Sequence, residues 1–160
     1  MARGKGSVGV IILATAFVVG SWSIVGAADF TLSTHDGNEF TLSEEQGKNG
    51  VLLFFFASWC AQSAGQIEAI KAFVEQADGQ NVKVVGVSLQ EDASTIKTFV
   101  KKKGVNYSIV LDPEMKVAGS FGVEGIPTFV GIAVNGEVVF RGHAMPEDPT
   151  ELTKKLTDAT

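Results

Sequence analysis

The sequence contains little cysteine, and this shortage excludes one class of structure at once. Cys60 is the only cysteine among 160 residues, so no disulfide can form within the chain. Small scaffolds held together by disulfides are thereby excluded, and the fold must depend on a hydrophobic core. A chain of this length, in which 45% of the residues are hydrophobic, can bury one such core.

Basic residues are also scarce. The chain has 13 Lys and Arg against 18 Asp and Glu, and its formal net charge is −5. Residues 1–28 contain Arg3 and Lys5 and no acid, so the remainder carries 11 basic and 18 acidic residues, or −7. The one local basic run, residues 101–103, ends a predicted helix, where cations interact favourably with the helix dipole. We therefore expect no nucleic-acid partner, because such a surface needs clustered Lys and Arg.

The N-terminus has the pattern of an export signal. Arg3 and Lys5 form a basic region, residues 8–19 are apolar, and Val25-Gly26-Ala27 offers small residues before a cleavage point. Cleavage at Ala28 or Asp29 is favoured because the segment is rich in Gly, Ser and Ala near its end. The alternative is an uncleaved membrane tether through residues 6–28, which are long enough to span a bilayer. We expect a leader over 1–28, a domain over 29–160, and a periplasmic or membrane-anchored location outside the cytoplasm.

Hydrophobic periodicity and turn signals predict one α/β domain after the leader. The order is a β-hairpin, then alternating strands and helices, then a closing hairpin at Asn135-Gly136 and a last helix. This order predicts a mixed central sheet with a parallel core and helices on both faces. The predicted strands are 30–33, 39–42, 51–56, 82–89, 107–112, 128–134 and 137–142, and the predicted helices are 61–77, 93–103, a short helix near Pro113, and 149–158.

The lone cysteine stands where a strand of the sequence VLLFFF runs into the predicted helix. A thiol at such a junction faces unpaired backbone N–H groups, which favour the reactive thiolate. No Lys, Arg or His occurs between Phe54 and Ile70, so the helix start itself must provide this effect. The position and the neighbouring Trp59 indicate a functional thiol at Cys60. The alternative is a buried, inert cysteine, which is a common state for this residue.

Two segments resemble thioredoxin-fold proteins of the TlpA and ResA kind. The first is ADFTLSTHDGNEFTLSEEQGKNGVLLFFFASWCAQS, and the second is FGVEGIPTFVGIAVNGEVVFRG. The resemblance covers the chain after the leader and implies a thioredoxin-like fold. It also implies membership of a group of exported, often membrane-tethered thiol–disulfide oxidoreductases.

The resemblance assigns roles to residues around Cys60. It implies that the bond before Pro127 is cis, that Pro127 faces the cysteine, and that the backbone of Ile126 pairs with an extended substrate. Thr128 and Trp59 join Ile126 as expected substrate-binding residues. From the residues alone, a plain turn proline at the start of a strand is an equal alternative for Pro127.

The chain departs from this family pattern at three places. Ser63 stands where the second, resolving cysteine of the motif should be, and a hydroxyl cannot attack a mixed disulfide as a thiolate does. Phe54 occupies a strand position where many relatives carry a buried acid or amide. Ala61-Gln62 lacks the usual proline. We therefore expect Cys60 to form mixed disulfides, with Ser63 donating a hydrogen bond to the thiolate or capping the helix.

This one-sulfur site predicts particular partners. Protein thiols or disulfides would be the substrates, and release would need an external thiol such as glutathione, a second cysteine on the client, or a membrane electron donor. Such chemistry suits isomerase-like, deglutathionylating or holding roles. No cofactor and no metal are expected, because His35 and His143 each stand alone and are interpreted as ordinary surface residues.

Two other functions are compatible with the same fold. A non-enzymatic module would hold clients by strand addition at Ile126 and leave Cys60 without a role. A thiol peroxidase of the peroxiredoxin type would also attack with one cysteine. That chemistry calls for Thr or Ser three residues before the thiol and Pro seven residues before it. Because Ala57 and Leu53 occupy these positions, the peroxidase ranks lowest.

Overall fold

The computed structural model describes residues 26–158, and most of the predicted leader lies outside them. Within this part of the chain, no helix is long and apolar enough to cross a membrane. The strands are β1 (Thr31–Ser33), β2 (Glu39–Thr41), β3 (Gly50–Phe56), β4 (Val82–Leu89), β5 (Ser108–Asp112), β6 (Thr128–Ile132) and β7 (Val138–Gly142). The helices are α1 (Ala61–Ala64), α2 (Ile67–Gln76), α3 (Ala93–Lys103), α4 (Lys116–Ser120) and α5 (Pro149–Thr157), with a single 3-10 turn at Leu42–Glu44.

The predicted mixed sheet and the predicted N-terminal hairpin are both confirmed. β1 and β2 pair antiparallel as a separate hairpin, and the five-stranded central sheet has the order β5-β4-β3-β6-β7. β3, β4 and β5 are parallel, whereas β6 and β7 are antiparallel to their neighbours. β3 therefore lies in the middle of the sheet, and its carboxyl end leads directly to Cys60.

β3 is buried on both faces, which explains its unbroken apolar sequence. On one face Phe54 stacks between two other rings, with centroid separations of 5.0 Å to Phe56 and 4.8 Å to Phe129. Helices α2, α3 and α5 cover that face. On the other face Phe55 packs near Phe121, and the N-terminal hairpin and α4 cover it. The two cores hold β3 rigidly beneath the turn that carries Cys60.

Local signals account for the ends of the regular helices. The Asp92 carboxylate caps α3 by accepting from Thr95 N at 2.8 Å, and Gly104 ends it in the left-handed conformation at φ 61°. Pro149 opens α5, and the preceding Asp148 caps it. These helices match the predicted boundaries to within a residue.

Two helix predictions are wrong in detail. The helix predicted over 61–77 is divided into α1 and α2. It breaks at Gly65 and Gln66, where glycine disfavours helix and the Gln66 Oε1 accepts a bond from Met145 N at 3.0 Å. The short helix near Pro113 begins three residues later, at Lys116, because Met115 adopts a left-handed conformation at φ 56°.

Candidate active site

The strand-to-helix turn presents Cys60 at the carboxyl end of β3. Ala57 is buried, Trp59 is 74% exposed, and Cys60 is partly exposed as the N-cap residue of α1. The backbone N–H of Cys60 donates to Ala57 O at 3.1 Å and tightens this turn. The sulfur is thus accessible while its backbone is fixed by the end of a buried strand.

Ser63 is the main group that tunes the thiol. Hydrogen bonding from the Ser63 hydroxyl, and next from the Ser63 backbone N–H, lowers the pKa of Cys60, with a smaller contribution from the N–H of Gln62. Ser63 is only 1% exposed, and its Oγ has no hydrogen-bond partner within the described residues. The thiolate form of Cys60 would supply the acceptor that this buried hydroxyl lacks.

The physical cause of the lowered Cys60 pKa differs from the predicted one. The sequence predicted a long helix beneath Cys60, but α1 has only four residues. The lowered pKa therefore comes from individual donors in the first turn, with Ser63 first among them, and not from the dipole of an extended helix.

The carboxylate of Glu91, which the sequence analysis did not identify, supports the turn that carries Cys60. Glu91 accepts from Ser58 N at 2.9 Å, from the Ser58 hydroxyl, and from the Ser88 hydroxyl at 2.9 Å. It thereby ties the end of β4 to the residue before Trp59. An acidic residue in a polar loop gives no local sign of such a role, since most are solvated.

The segment 125–128 carries the second set of predicted site residues. The peptide bond between Ile126 and Pro127 is cis. The Thr128 hydroxyl donates to Gly125 O at 2.6 Å, and Thr128 is buried, so its side chain braces the loop. Neither the backbone N–H nor the C=O of Ile126 makes a hydrogen bond within residues 26–158. Those two groups remain available to an incoming chain.

His143 lies at this loop, although the sequence had suggested an ordinary surface residue. Its Nδ1 is 2.9 Å from Pro127 O and 3.4 Å from Thr128 Oγ1. The antiparallel register of β6 and β7 pairs Phe129 with Gly142, which brings residue 143 beside residue 128. The sequence predicted the closing hairpin but not its register, so it did not predict that residue 143 lies beside residue 128. The other histidine, His35, has different neighbours: its Nδ1 is 3.2 Å from Ile109 O.

Two cavities flank the Ile126–Pro127 segment, and Gly125 and Ile126 line both of them. The more polar of the two has a volume of about 500 Å³, and the side chains that line it include Gln62, Gln66 and His143. The apolar cavity has a volume of about 200 Å³, and its lining includes the hydrophobic residues Trp59, Leu89, Met115 and Val123 and one acid, Glu124. In the part of the chain that the structure describes, no group of three or more His, Cys, Asp or Glu converges on a point.

The sequence and the fold are similar to those of known proteins. Residues 25–141 match the AhpC/TSA family. The chain belongs to the AhpC/TSA family. It is 31% identical over 136 residues to the thiol–disulfide oxidoreductase ResA of Geobacillus thermodenitrificans, and the alignment covers 84% of this chain and 75% of ResA. The predicted resemblance to ResA-like proteins is therefore confirmed.

Solved structures confirm the thioredoxin-like fold. A thiol–disulfide oxidoreductase from Bacteroides fragilis superposes with a TM-score of 0.72 at 24% identity, covering 82% of this chain and 99% of that chain. A secreted disulfide oxidoreductase of Mycobacterium tuberculosis, homologous to E. coli DsbE, superposes with a TM-score of 0.67 at 23% identity and covers 79% and 93%. The 31% identity to ResA supports thiol–disulfide exchange as the chemistry of this family member.

Proposed function

We propose that this chain carries out the first half of thiol–disulfide exchange with Cys60 alone and depends on an external thiol for the second half. One observation carries the proposal. The partly exposed sulfur of Cys60 has its pKa lowered by the buried hydroxyl of Ser63, at the position where a second thiol would otherwise stand. Ser63 therefore stabilises the nucleophile but cannot replace the resolving cysteine.

The proposed reaction has two balanced steps. The Cys60 thiolate attacks one sulfur of a client disulfide, the client S–S bond breaks, and the other client sulfur leaves as a thiolate. A small thiol such as glutathione, or a second cysteine of the client, then attacks the sulfur joined to Cys60, forms a new disulfide with it, and releases Cys60 as a thiolate. No net reduction of the client follows from the first step alone, so isomerase-like or deglutathionylating work suits this site best.

The surroundings of the sulfur support the same proposal. The resemblance implies that many relatives carry a group for proton transfer at the strand position of Phe54, and Phe54 is fully buried among other rings. A site without a second thiol has no thiol for such a group to deprotonate. We further propose that Pro127 shapes the substrate groove and that Ile126 pairs with the client backbone.

The proposed location is outside the cytoplasm. The basic and apolar pattern of residues 1–28 supports export, either with cleavage near Ala28 or with retention of the segment as a tether. The secreted structural neighbour from Mycobacterium tuberculosis is consistent with this proposal. The catalytic domain would then comprise residues 29–160.

Two assays on the purified protein test the reaction. In the first, a glutathionylated peptide is mixed with pre-reduced protein, and mass spectrometry follows transfer of the mixed disulfide to Cys60 and its release by added glutathione. In the second, insulin is mixed with an equimolar amount of pre-reduced protein without any added small thiol, and insulin that is fully reduced and free of protein is measured. We expect activity in the first assay and no fully reduced insulin in the second, and Cys60→Ser should abolish the first. Stoichiometric release of fully reduced insulin by the unmodified chain would contradict the proposal.

A further inference from the structure

We propose that the two cavities are the two ends of one client-binding groove. The groove selects a client cysteine that has an apolar side chain on one side and, on the other, a side chain whose oxygen accepts hydrogen bonds. This inference rests on the proposed function and adds the class of substrate. Its occupant is an extended polypeptide segment of a client protein. Each part of the groove supports this choice.

The centre of the groove is the backbone of Ile126. Its N–H and C=O make no hydrogen bond within residues 26–158, and Ile126 lines both cavities. An extended segment can add two backbone hydrogen bonds there in the manner of a further strand. Along an extended chain, side chains two positions apart point to the same side, about 7 Å apart. Cys60 lines neither cavity, but Trp59 before it lines the apolar cavity and Gln62 after it lines the other. We therefore expect that, when a client cysteine reaches Cys60, its second neighbours on either side face the two cavities.

The apolar end exposes hydrophobic surface that the fold does not use. Of the large hydrophobic side chains exposed within the described residues, Trp59 at 74% and Met115 at 38% both line this cavity. Two residues here, Gln90 and Met115, hold left-handed backbone conformations with φ of 59° and 56°. Such conformations in residues other than glycine concentrate at binding sites. The cavity therefore suits one bulky apolar side chain.

The opposite end offers hydrogen-bond donors and carries no Lys, Arg, Asp or Glu in its lining. Gln66 uses its Oε1 to accept from Met145 N at 3.0 Å, and this bond fixes its Nε2 donor in the cavity wall. Neither Gln66 Nε2 nor the side-chain amide of Gln62 has a partner within residues 26–158. Uncommitted amide donors suit an oxygen acceptor such as an Asn or Asp side chain.

The test uses five-residue peptides whose single cysteine is joined by a disulfide to a coloured aromatic thiol. The Cys60 thiolate attacks the peptide sulfur, a Cys60–peptide disulfide forms, and the aromatic thiolate leaves with a measurable colour. One peptide is Phe-Gly-Cys-Gly-Asn and another is its reverse, since either chain direction can pair with Ile126. The other peptides replace Phe by Ser, or Asn by Lys. In the better direction we expect the Phe and Asn peptide to react about tenfold faster than either replacement.

Two variants assign the preference to the two ends. Met115→Ala should lower the rate for the Phe peptide about fivefold and leave the Ser peptide unchanged. Gln66→Glu keeps an oxygen for Met145 N but removes the free donor, so it should slow the Asn peptide and accelerate the Lys peptide. Matched controls are Val138→Ala, a comparably exposed hydrophobic residue at 39% that does not line either cavity, and Gln80→Glu, which makes the same charge change elsewhere.

The outcomes separate the groove from the chemistry. Equal rates for all peptides, each faster than with free cysteine, would overturn the groove and leave the proposed function standing. Rates no faster than with free cysteine would overturn the proposed function itself. A preference for Phe that Val138→Ala and Met115→Ala reduce equally would also overturn the apolar end of the groove.

Discussion

Strand β3 and the turn that follows it, residues 57–63, are continuous in sequence. They differ in burial and in how completely their polar groups are hydrogen-bonded. Every residue of β3 is buried, and the strand is paired along both edges, with β4 and β6. The turn holds the most exposed aromatic side chain of the described chain, Trp59, a partly exposed thiol at Cys60, and a buried Ser63 hydroxyl without an oxygen or nitrogen partner.

This difference indicates a division of roles. Burial of large side chains with complete pairing provides stability, whereas an unsatisfied hydroxyl beside an accessible sulfur provides reactivity. Changes in β3 should therefore alter the free energy of unfolding and leave the thiol pKa unchanged. Changes in the turn should do the opposite.

The largest effect is expected from Ser63→Cys, which supplies the missing second thiol. In a single-turnover reaction with insulin, the pre-reduced variant should become oxidised within the chain and release free insulin thiols. We expect two insulin thiols per chain and no lasting protein–insulin disulfide, whereas the unmodified chain should release one thiol per chain and remain as a mixed disulfide. The free energy of unfolding of the reduced variant should change little, because serine and cysteine have similar volumes.

Ser63→Ala is the matched control for that experiment, since it removes the hydroxyl without adding a thiol. It should release no more insulin thiol than the unmodified chain. Equal release by Ser63→Cys and by the unmodified chain would mean that the missing sulfur is not what limits this site.

Phe54→Ala should have the largest effect on stability. Phe54 is fully buried and stacks with Phe56 and Phe129. Its truncation should lower the free energy of unfolding by about 3–5 kcal/mol, measured by urea denaturation. The pH dependence of Cys60 alkylation in the folded variant should not change.

Phe140→Ala provides the comparison for Phe54, because Phe140 lies on the edge strand β7 and is only partly buried. Phe140→Ala should lower the free energy of unfolding by clearly less than Phe54→Ala does. A loss below about 1 kcal/mol for Phe54→Ala, or an altered thiol pKa, would show that β3 and the turn are not separable in this way.

The elements built from local signals were predictable. The unbroken apolar run of β3 and the Asn135-Gly136 turn specify their own structures, and the mixed sheet with a parallel core followed from the alternation of strands and helices, although its strand order was not predicted. The placement of Cys60 at the end of β3 also followed, because the strand and the helix start are both visible in sequence. The proximity of Ser63 to the sulfur required only the geometry of one helical turn.

Features that depend on contacts distant in sequence were not predictable. The break between α1 and α2 involves a bond from Met145 to Gln66, 79 positions apart. Glu91 reaches Ser58 across 33 positions. His143 meets Pro127 only through the register of β6 and β7. In each case the sequence around the residue is typical of a protein surface. Its contact partner is determined by the tertiary structure and not by the local sequence pattern.

The most direct test of the account is the pH dependence of Cys60 alkylation by iodoacetamide, compared between the unmodified chain and Ser63→Ala. Because the Ser63 hydroxyl lowers the thiol pKa, the rate for the unmodified chain should reach half its maximum at a lower pH than for free cysteine. Ser63→Ala should move this midpoint to higher pH and slow alkylation at pH 7 severalfold. At pH values where the thiol is protonated, it should leave the free energy of unfolding nearly unchanged, because the hydroxyl then has no hydrogen-bond partner. A midpoint equal to that of free cysteine, or one unaffected by Ser63→Ala, would contradict the claim that Ser63 activates the single sulfur.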